Sequence, residues 1–304
     1  MEPAGSQRRD GLMTTAPVTP ELEQAAIRAE SRRGFLIGLP AAFYLVLFFA
    51  IPLVLVFVYS FATRSSTGQT VLAEWNLESY QRLFTPGVLV IFLRSLLRAS
   101  VTTAICLLFS YPFAYYIATR TPRVRNLMLI FVMIPFWSNF LVRTYAWRVL
   151  LGSDGPLSQL SQNLGGEPIR LLFTNSAVLI GLVYGFMPFM VLPLYAALER
   201  MDWRLVEAAR DLYADGWTAF RKVTLPLSMP GVVAGSILVF IPSLGAYVTP
   251  ALLGGAKTVG IGDYIVSQFL AARNWPFGSA LSFGVMFVML LATVYYFRAG
   301  AKTL

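Results

Sequence analysis

The sequence predicts an all-α integral membrane protein of six transmembrane helices. Three observations lead there: 57% of the 304 residues are apolar, only 13% are charged, and the mean hydropathy is +0.64. The apolar residues gather into runs of the ~20 or more that a helix needs to cross about 30 Å of hydrocarbon. These runs are continuous rather than alternating, and a bilayer offers no water to unpaired backbone groups, so a helical bundle is expected and not a barrel.

The spans read, in order, as 34–61, 88–118, 127–151, 172–197, 231–253 and 277–297. A polar tail, 1–33, with Pro3, Pro17, Pro20 and mixed charge, precedes the first. The first apolar run is too long for a signal-peptide core, so it reads as a retained anchor behind a disordered tail, with a helix along the membrane surface over 21–33, whose composition is helical, as the alternative. One membrane domain, 34–304, then accounts for the rest. Cys106 is the single cysteine, within the second span, and says nothing of redox compartment.

A net charge of +9 would suggest nucleic acid in a soluble protein, but here topology explains it. Fifteen of the 24 basic residues fall in the tail, after the second span, after the fourth and at the end. Five, Arg64, Arg82, Arg170, Lys257 and Arg273, fall on the other side, and Arg94, Arg98, Arg143 and Arg148 lie within apolar stretches, the last two near enough to an interface to snorkel. The positive-inside rule therefore places both termini and the loop between spans four and five in the cytoplasm.

The chain contains no histidine, which removes imidazole bases and His-based zinc sites, and one cysteine cannot build a thiolate cluster. The stretch Gly254, Gly255, Ala256, Lys257, Thr258 lacks the glycine directly before lysine that a phosphate-binding loop requires. Catalysis and a bound cofactor or metal are not expected. If the protein does energised work, the nucleotide chemistry belongs to a partner.

The loop at 198–230 has the character of a docking element. It carries Glu199, Arg200, Asp202, Arg204, Glu207, Arg210, Asp211 and Asp215, with small residues Ala208 and Ala209 that let another surface approach a helix closely. Leu225-Pro226 and Pro230-Gly231 are expected to end it before the fifth span begins.

These residues resemble the EAA motif of ABC importer membrane subunits. Glu207, Ala208 and Ala209 open it, and at the expected spacing Val223, Thr224, Leu225 and Pro226 close it, with Phe220 at an often aromatic position. The motif's glycine falls on Tyr213; the nearest glycine is Gly216, so a turn at 214–216 or at Tyr213 itself is expected to join two short coupling helices. NFLVRTYAW at 139–147 and IPSLGAYVTPALLGG at 241–255 resemble the polyamine branch of these permeases. The resemblance implies a type I importer in the bacterial inner membrane. It would comprise two membrane subunits in a heterodimer, two cytoplasmic ATP-binding subunits holding ATP and Mg, and an extracytoplasmic solute-binding protein delivering spermidine or putrescine. Coupling to the ATPase would run through Glu207, Ala208, Ala209, Asp215, Gly216, Leu225 and Pro226.

Two spans carry pathway signals of their own. In the fifth, Pro242 and Gly245 lie near the middle and Pro250 near the outer end. Lost backbone bonds there are tolerable only against protein or a water-filled cavity, so Ser243, Tyr247 and Thr249 are candidate contacts. In the third, Trp137, Asn139 and Tyr145 follow Pro135, and aromatic faces attract ammonium groups by about 0.5 to 2 kcal/mol. Kinked structural helices and interfacial aromatic belts are the plainer alternatives. No Asp or Glu lies in any of the six spans, so a polycation would find its carboxylates at the entrance (Glu74, Glu78, Asp154, Glu167, Asp263) or on the partner subunit. Gly181 with Gly185, and Gly231 with Gly235, form small-xxx-small pairs that permit close helix contact, internal or with a sister subunit.

Three other readings stay open: an importer of another organic cation or an amino-acid derivative, an ion-coupled carrier, and a non-transporting assembly subunit. A carrier would want an intramembrane acid or an inverted repeat, and neither is visible.

Overall fold

The computed structural model describes residues 38–65, 70–72 and 75–300, so the tail at 1–33, read either as disordered or as a surface helix over 21–33, lies outside the described residues. Helix α1, Gly38–Tyr59, is a 22-residue span of mean hydropathy 2.8 with a π-turn at Val46–Ala50. A two-residue ribbon follows, Thr63–Arg64 (β1) antiparallel to Thr70–Val71 (β2), with Thr63 opposite Val71. The short α2, Glu78–Leu83, then leads to α3, Pro86–Ala118, whose Pro86 occupies the first helical turn, where its missing N–H costs nothing.

The third span is not the single helix expected over 127–151. It divides into α4, Pro122–Trp137, and α5, Phe140–Leu150, bent by 89° at the break. Pro135 prepares the break, and Asn139 starts the new helix by accepting the Leu141 N–H at 2.8 Å on its side-chain oxygen. Counting the bent pair as one, six apolar spans are present among the described residues.

After the short α6, Pro156–Asn163, helix α7 runs over Asn175–Glu199, capped by the Thr174 hydroxyl, which accepts the Ala177 N–H. Helix α8, Arg204–Asp211, and the start of α9, Gly216–Gly245, form the loop between spans. Here the expectation that Pro226 and Pro230 terminate the loop is overturned, because α9 passes through both without a break. A π-turn at Phe220–Thr224 loosens the hydrogen-bond ladder just ahead of Pro226, where no N–H can be donated.

The far end of the fifth span also differs. The helix stops at Gly245, with Ala246 extended, and a π-turn at Pro250–Gly254 and a 3-10 turn at Gly255–Thr258 follow. The break falls after Pro242 rather than at it. Helices α10, Ile261–Leu270, and α11, Trp275–Gly300, complete the chain.

The centre of the bundle is α3, α7 and α9, where Cys106, Ala114, Ile117, Met190, Leu194, Leu198 and Val239 are buried together. Gly231 and Gly235 let α9 lie on α7: a Cβ on Gly231 would stand 2.6 Å from Ala197 Cβ and 2.7 Å from the Pro193 carbonyl oxygen. This small-residue pair is thus used inside the chain. At one end Leu151, Val178, Leu182 and Leu253 join α5, α7 and the π-turn, and Ser95 accepts the Ile261 N–H at 2.8 Å, tying α3 to α10.

Candidate functional site

The 198–230 loop is built around a small core of its own, Met201, Val206 and Ala219, which clamps α8 against the start of α9. With Val206 turned inward, Glu207 and Ala208 face out and Ala209 is half-buried. The Asp202 side chain accepts the Arg204 N–H at 3.0 Å, opening α8.

The end of α8 answers the glycine question. Tyr213 takes φ +63°, the left-handed conformation that glycine ordinarily supplies. The Tyr213 N–H donates to Arg210 O at 2.9 Å and the Ala214 N–H to Ala209 O at 3.1 Å, which is the hydrogen-bond pattern of a Schellman C-cap with tyrosine in glycine's place. Asp215 stands at the N-cap position of α9: the Thr218 hydroxyl donates to its carboxylate, and this bond, with the nearby Trp217 and Thr218 amides, holds the carboxyl below its usual range. The turn thus uses Tyr213 and Asp215 together, with Gly216 as the first residue of α9.

The loop presents apolar surface that nothing among the described residues covers. Tyr213 is 100% exposed, Leu212 82% and Trp217 67%, beside the exposed Glu207 and Asp211. Its base is fixed, since Arg125 near the start of α4 pairs with Glu199 at the end of α7 at 2.9 Å. Leu225 is half-buried against the central core and Pro226 is exposed, so the closing residues join the loop to α9.

The α4–α5 break has its own chemistry. The Pro135 carbonyl accepts from the Ser138 hydroxyl at 2.7 Å and from Arg143 Nη1 at 2.8 Å, with the guanidinium 5.7 and 5.8 Å from the rings of Phe136 and Phe140. Arg143 therefore turns back to satisfy the broken helix instead of reaching for an interface. Trp137 is 81% and Tyr145 51% exposed, while Asn139 is committed as a helix cap. At the α9 break, Tyr247 is 48% exposed. Ser243 is buried with its hydroxyl on Phe240 O at 3.0 Å, and Thr249 is buried near Gly181 of α7. Among the described residues no ring contact or hydrogen bond joins Trp137 or Tyr145 to Tyr247.

Sequence reasoning missed Leu212 and Trp217 as exposed anchors and Arg143 as a cap. The first two carry no local signal in a chain this apolar. Arg143 had one, a cation in the first turn after an Asn cap that itself follows a proline.

Residues 110–300 match the family described as binding-protein-dependent transport system inner membrane component. The spermidine/putrescine transport system permease protein PotB of Haemophilus influenzae is 45% identical over 258 residues, 84% of this chain and 90% of that one. PotB of Escherichia coli K12 is 42% identical over 84% of this chain and 94% of its own length. The inner membrane ABC transporter permease protein YdcU of E. coli is 34% identical over 79% of this chain and 81% of that one. A chain from the crystal structure of a bacterial ABC transporter involved in import of the acidic polysaccharide alginate shares the fold. It has a TM-score of 0.67 at 16% identity, covering 93% of this chain and 99% of that one.

Proposed function

The chain belongs to the family of binding-protein-dependent transport system inner membrane components, and from that premise we propose that it is the polyamine-translocating permease subunit of an ATP-driven importer. The observation that carries the substrate is the 45% identity, over 84% of the chain, with a permease named for spermidine and putrescine. The observation that supports ATP coupling is the pair of short helices meeting at Tyr213, with Glu207 and Ala208 facing out beside uncovered apolar side chains.

In this reading the chain itself catalyses nothing. A second membrane subunit completes the pathway, two cytoplasmic subunits bind ATP and Mg and hydrolyse the nucleotide, and an extracytoplasmic protein delivers the solute. Both termini and the 198–230 loop lie in the cytoplasm. Closure of the ATP-binding subunits pushes on 207–226, and because α9 runs unbroken from Gly216 to Gly245 that push is carried toward the break at 246–249.

The exposed aromatics Trp137, Tyr145 and Tyr247 suit a polyamine, since their faces attract ammonium groups, and Trp137 and Tyr247 stand at the two breaks beside irregular backbone. Within the described spans the one carboxylate is Glu199, at the very end of α7 and paired with Arg125, so the compensating charge comes from the entrance carboxylates or from the partner subunit.

Replacing Glu207 with Ala tests the coupling half: the variant should insert and assemble normally yet lose substrate-stimulated uptake, and normal uptake would remove the coupling role. Trp137→Ala or Tyr247→Ala should weaken uptake of the cation, whereas unchanged kinetics would return both residues to structure.

A further inference from the structure

Two arginines one turn apart on α3, Arg94 and Arg98, line a cavity of about 500 Å³ that the transport reading does not use. Arg98 Nη2 donates to the Thr258 carbonyl at 3.1 Å and to Asn175 Oδ1 at 3.4 Å, both neutral acceptors. Arg94 has no hydrogen bond or ion pair among the described residues, where the one ion pair is Arg125–Glu199. Asp263 acts on Arg98 electrostatically without forming an ion pair, and its own carboxyl is pushed up by burial, so it compensates poorly.

Two positive charges at this spacing, facing one cavity in a membrane helix, call for an anion. Depth says where. Arg98 stands 20 residues before Ala118, about 30 Å along an α-helix, which is the thickness of the hydrocarbon core. With the Ala118 end of α3 at one interface, Arg98 lies at the opposite one and Arg94 a turn beyond it, among headgroups. Below them the wall turns apolar with Leu97 and Val101, and Leu97 is 66% exposed on the flank of the bundle. The polar end offers two guanidinium forks and Asn175, and the apolar end continues into the bilayer.

We propose that this cavity binds a phospholipid, its phosphate held by Arg94 and Arg98 and an acyl chain lying over Leu97 and Val101, at the membrane face opposite the coupling loop. Planar guanidinium groups meet phosphate oxygens in bidentate fashion, and the volume lies in the range of small-molecule sites. A polyamine is excluded by charge. A carboxylate of a soluble protein would satisfy the arginines but leave the apolar wall without a partner.

The test uses the whole chain with its co-purifying subunits, reconstituted into nanodiscs of phosphate-free galactolipid containing a small fraction of phosphatidylglycerol. Phospholipid retained after detergent extraction is read by native mass spectrometry. Arg94→Gln removes no hydrogen bond or ion pair among the described residues, so it should assemble normally while retention falls about tenfold, the loss expected for one charge-assisted contact. The further change Arg98→Gln should abolish retention. Equal retention by wild type and Arg94→Gln would overturn the assignment. So would displacement of the lipid by millimolar inorganic phosphate, which would mark a free-anion site, or a loss confined to capture of the solute-binding protein, which would mark a protein carboxylate.

Discussion

Arg143 donates a 2.8 Å hydrogen bond to the carbonyl oxygen of Pro135, reaching back across an 89° bend to the helix that the bend ended. A carbonyl freed at membrane depth needs a donor, and the half-buried guanidinium, within 6 Å of the rings of Phe136 and Phe140, supplies one. Removing it should loosen the bend. Arg143→Ala is expected to cost about 1.5 to 3 kcal/mol, the range for a hydrogen bond to a charged group, read as a lower melting temperature of the detergent-solubilised protein. Arg143→Lys should recover part of that loss.

Tyr213 sits at φ +63° with its side chain entirely exposed, so the chain carries backbone strain there with no packing in return. An L-residue in the left-handed region gives up roughly 1 to 2 kcal/mol, and glycine removes most of that. Tyr213→Gly should therefore leave the loop at least as stable, and Tyr213→Val should destabilise it. Limited proteolysis between α8 and α9 reads both.

Gly231 tests the α7–α9 contact. A Cβ there would fall 2.6 Å from Ala197 Cβ and 2.7 Å from the Pro193 carbonyl, whereas a Cβ on Gly87 meets nothing within 4 Å. Gly231→Val should cost about 1 to 3 kcal/mol by overpacking, with falling yield and melting temperature, while Gly87→Ala should be near neutral.

The Asp215 carboxyl is held below its ordinary range by the Thr218 hydroxyl and neighbouring amides. A carboxyl depressed in the folded state stabilises it fully above the unfolded value of about 4, and that contribution disappears as pH falls through the lower folded value. The α8–α9 turn should accordingly keep its protease resistance to pH about 4 and lose it below. Asp215→Asn should flatten that pH dependence, and Thr218→Val should weaken it by bringing the folded value closer to the unfolded one.

The spans were legible because apolar runs of membrane length have few other uses, and the loop at 198–230 was legible because charge there interrupts such runs. A kink after Pro135 was legible, but the size of the 89° bend at 138–139 was not: Phe136, Trp137 and Phe140 keep the hydropathy high on both sides, so the pair reads as one span. Pro226 and Pro230 misled, since a proline reads locally as an ending and the π-turn that absorbs Pro226 depends on the whole ladder. Glu207 was assigned from its motif and the structure places it outward. Ser243 and Thr249 were chosen as polar groups at a break, but their burial depends on where α7 and the turn at 250–254 pack, which sequence spacing does not encode.

Uptake of labelled spermidine and putrescine into vesicles containing the chain with its partner subunits, with ATP supplied or withheld on the side of the coupling loop, tests the central claim most directly. The account predicts uptake of one or both polyamines only with ATP present. Uptake that proceeds equally without ATP, or ATP turnover that moves neither polyamine, would contradict it, the first pointing to an ion-coupled carrier and the second to another solute.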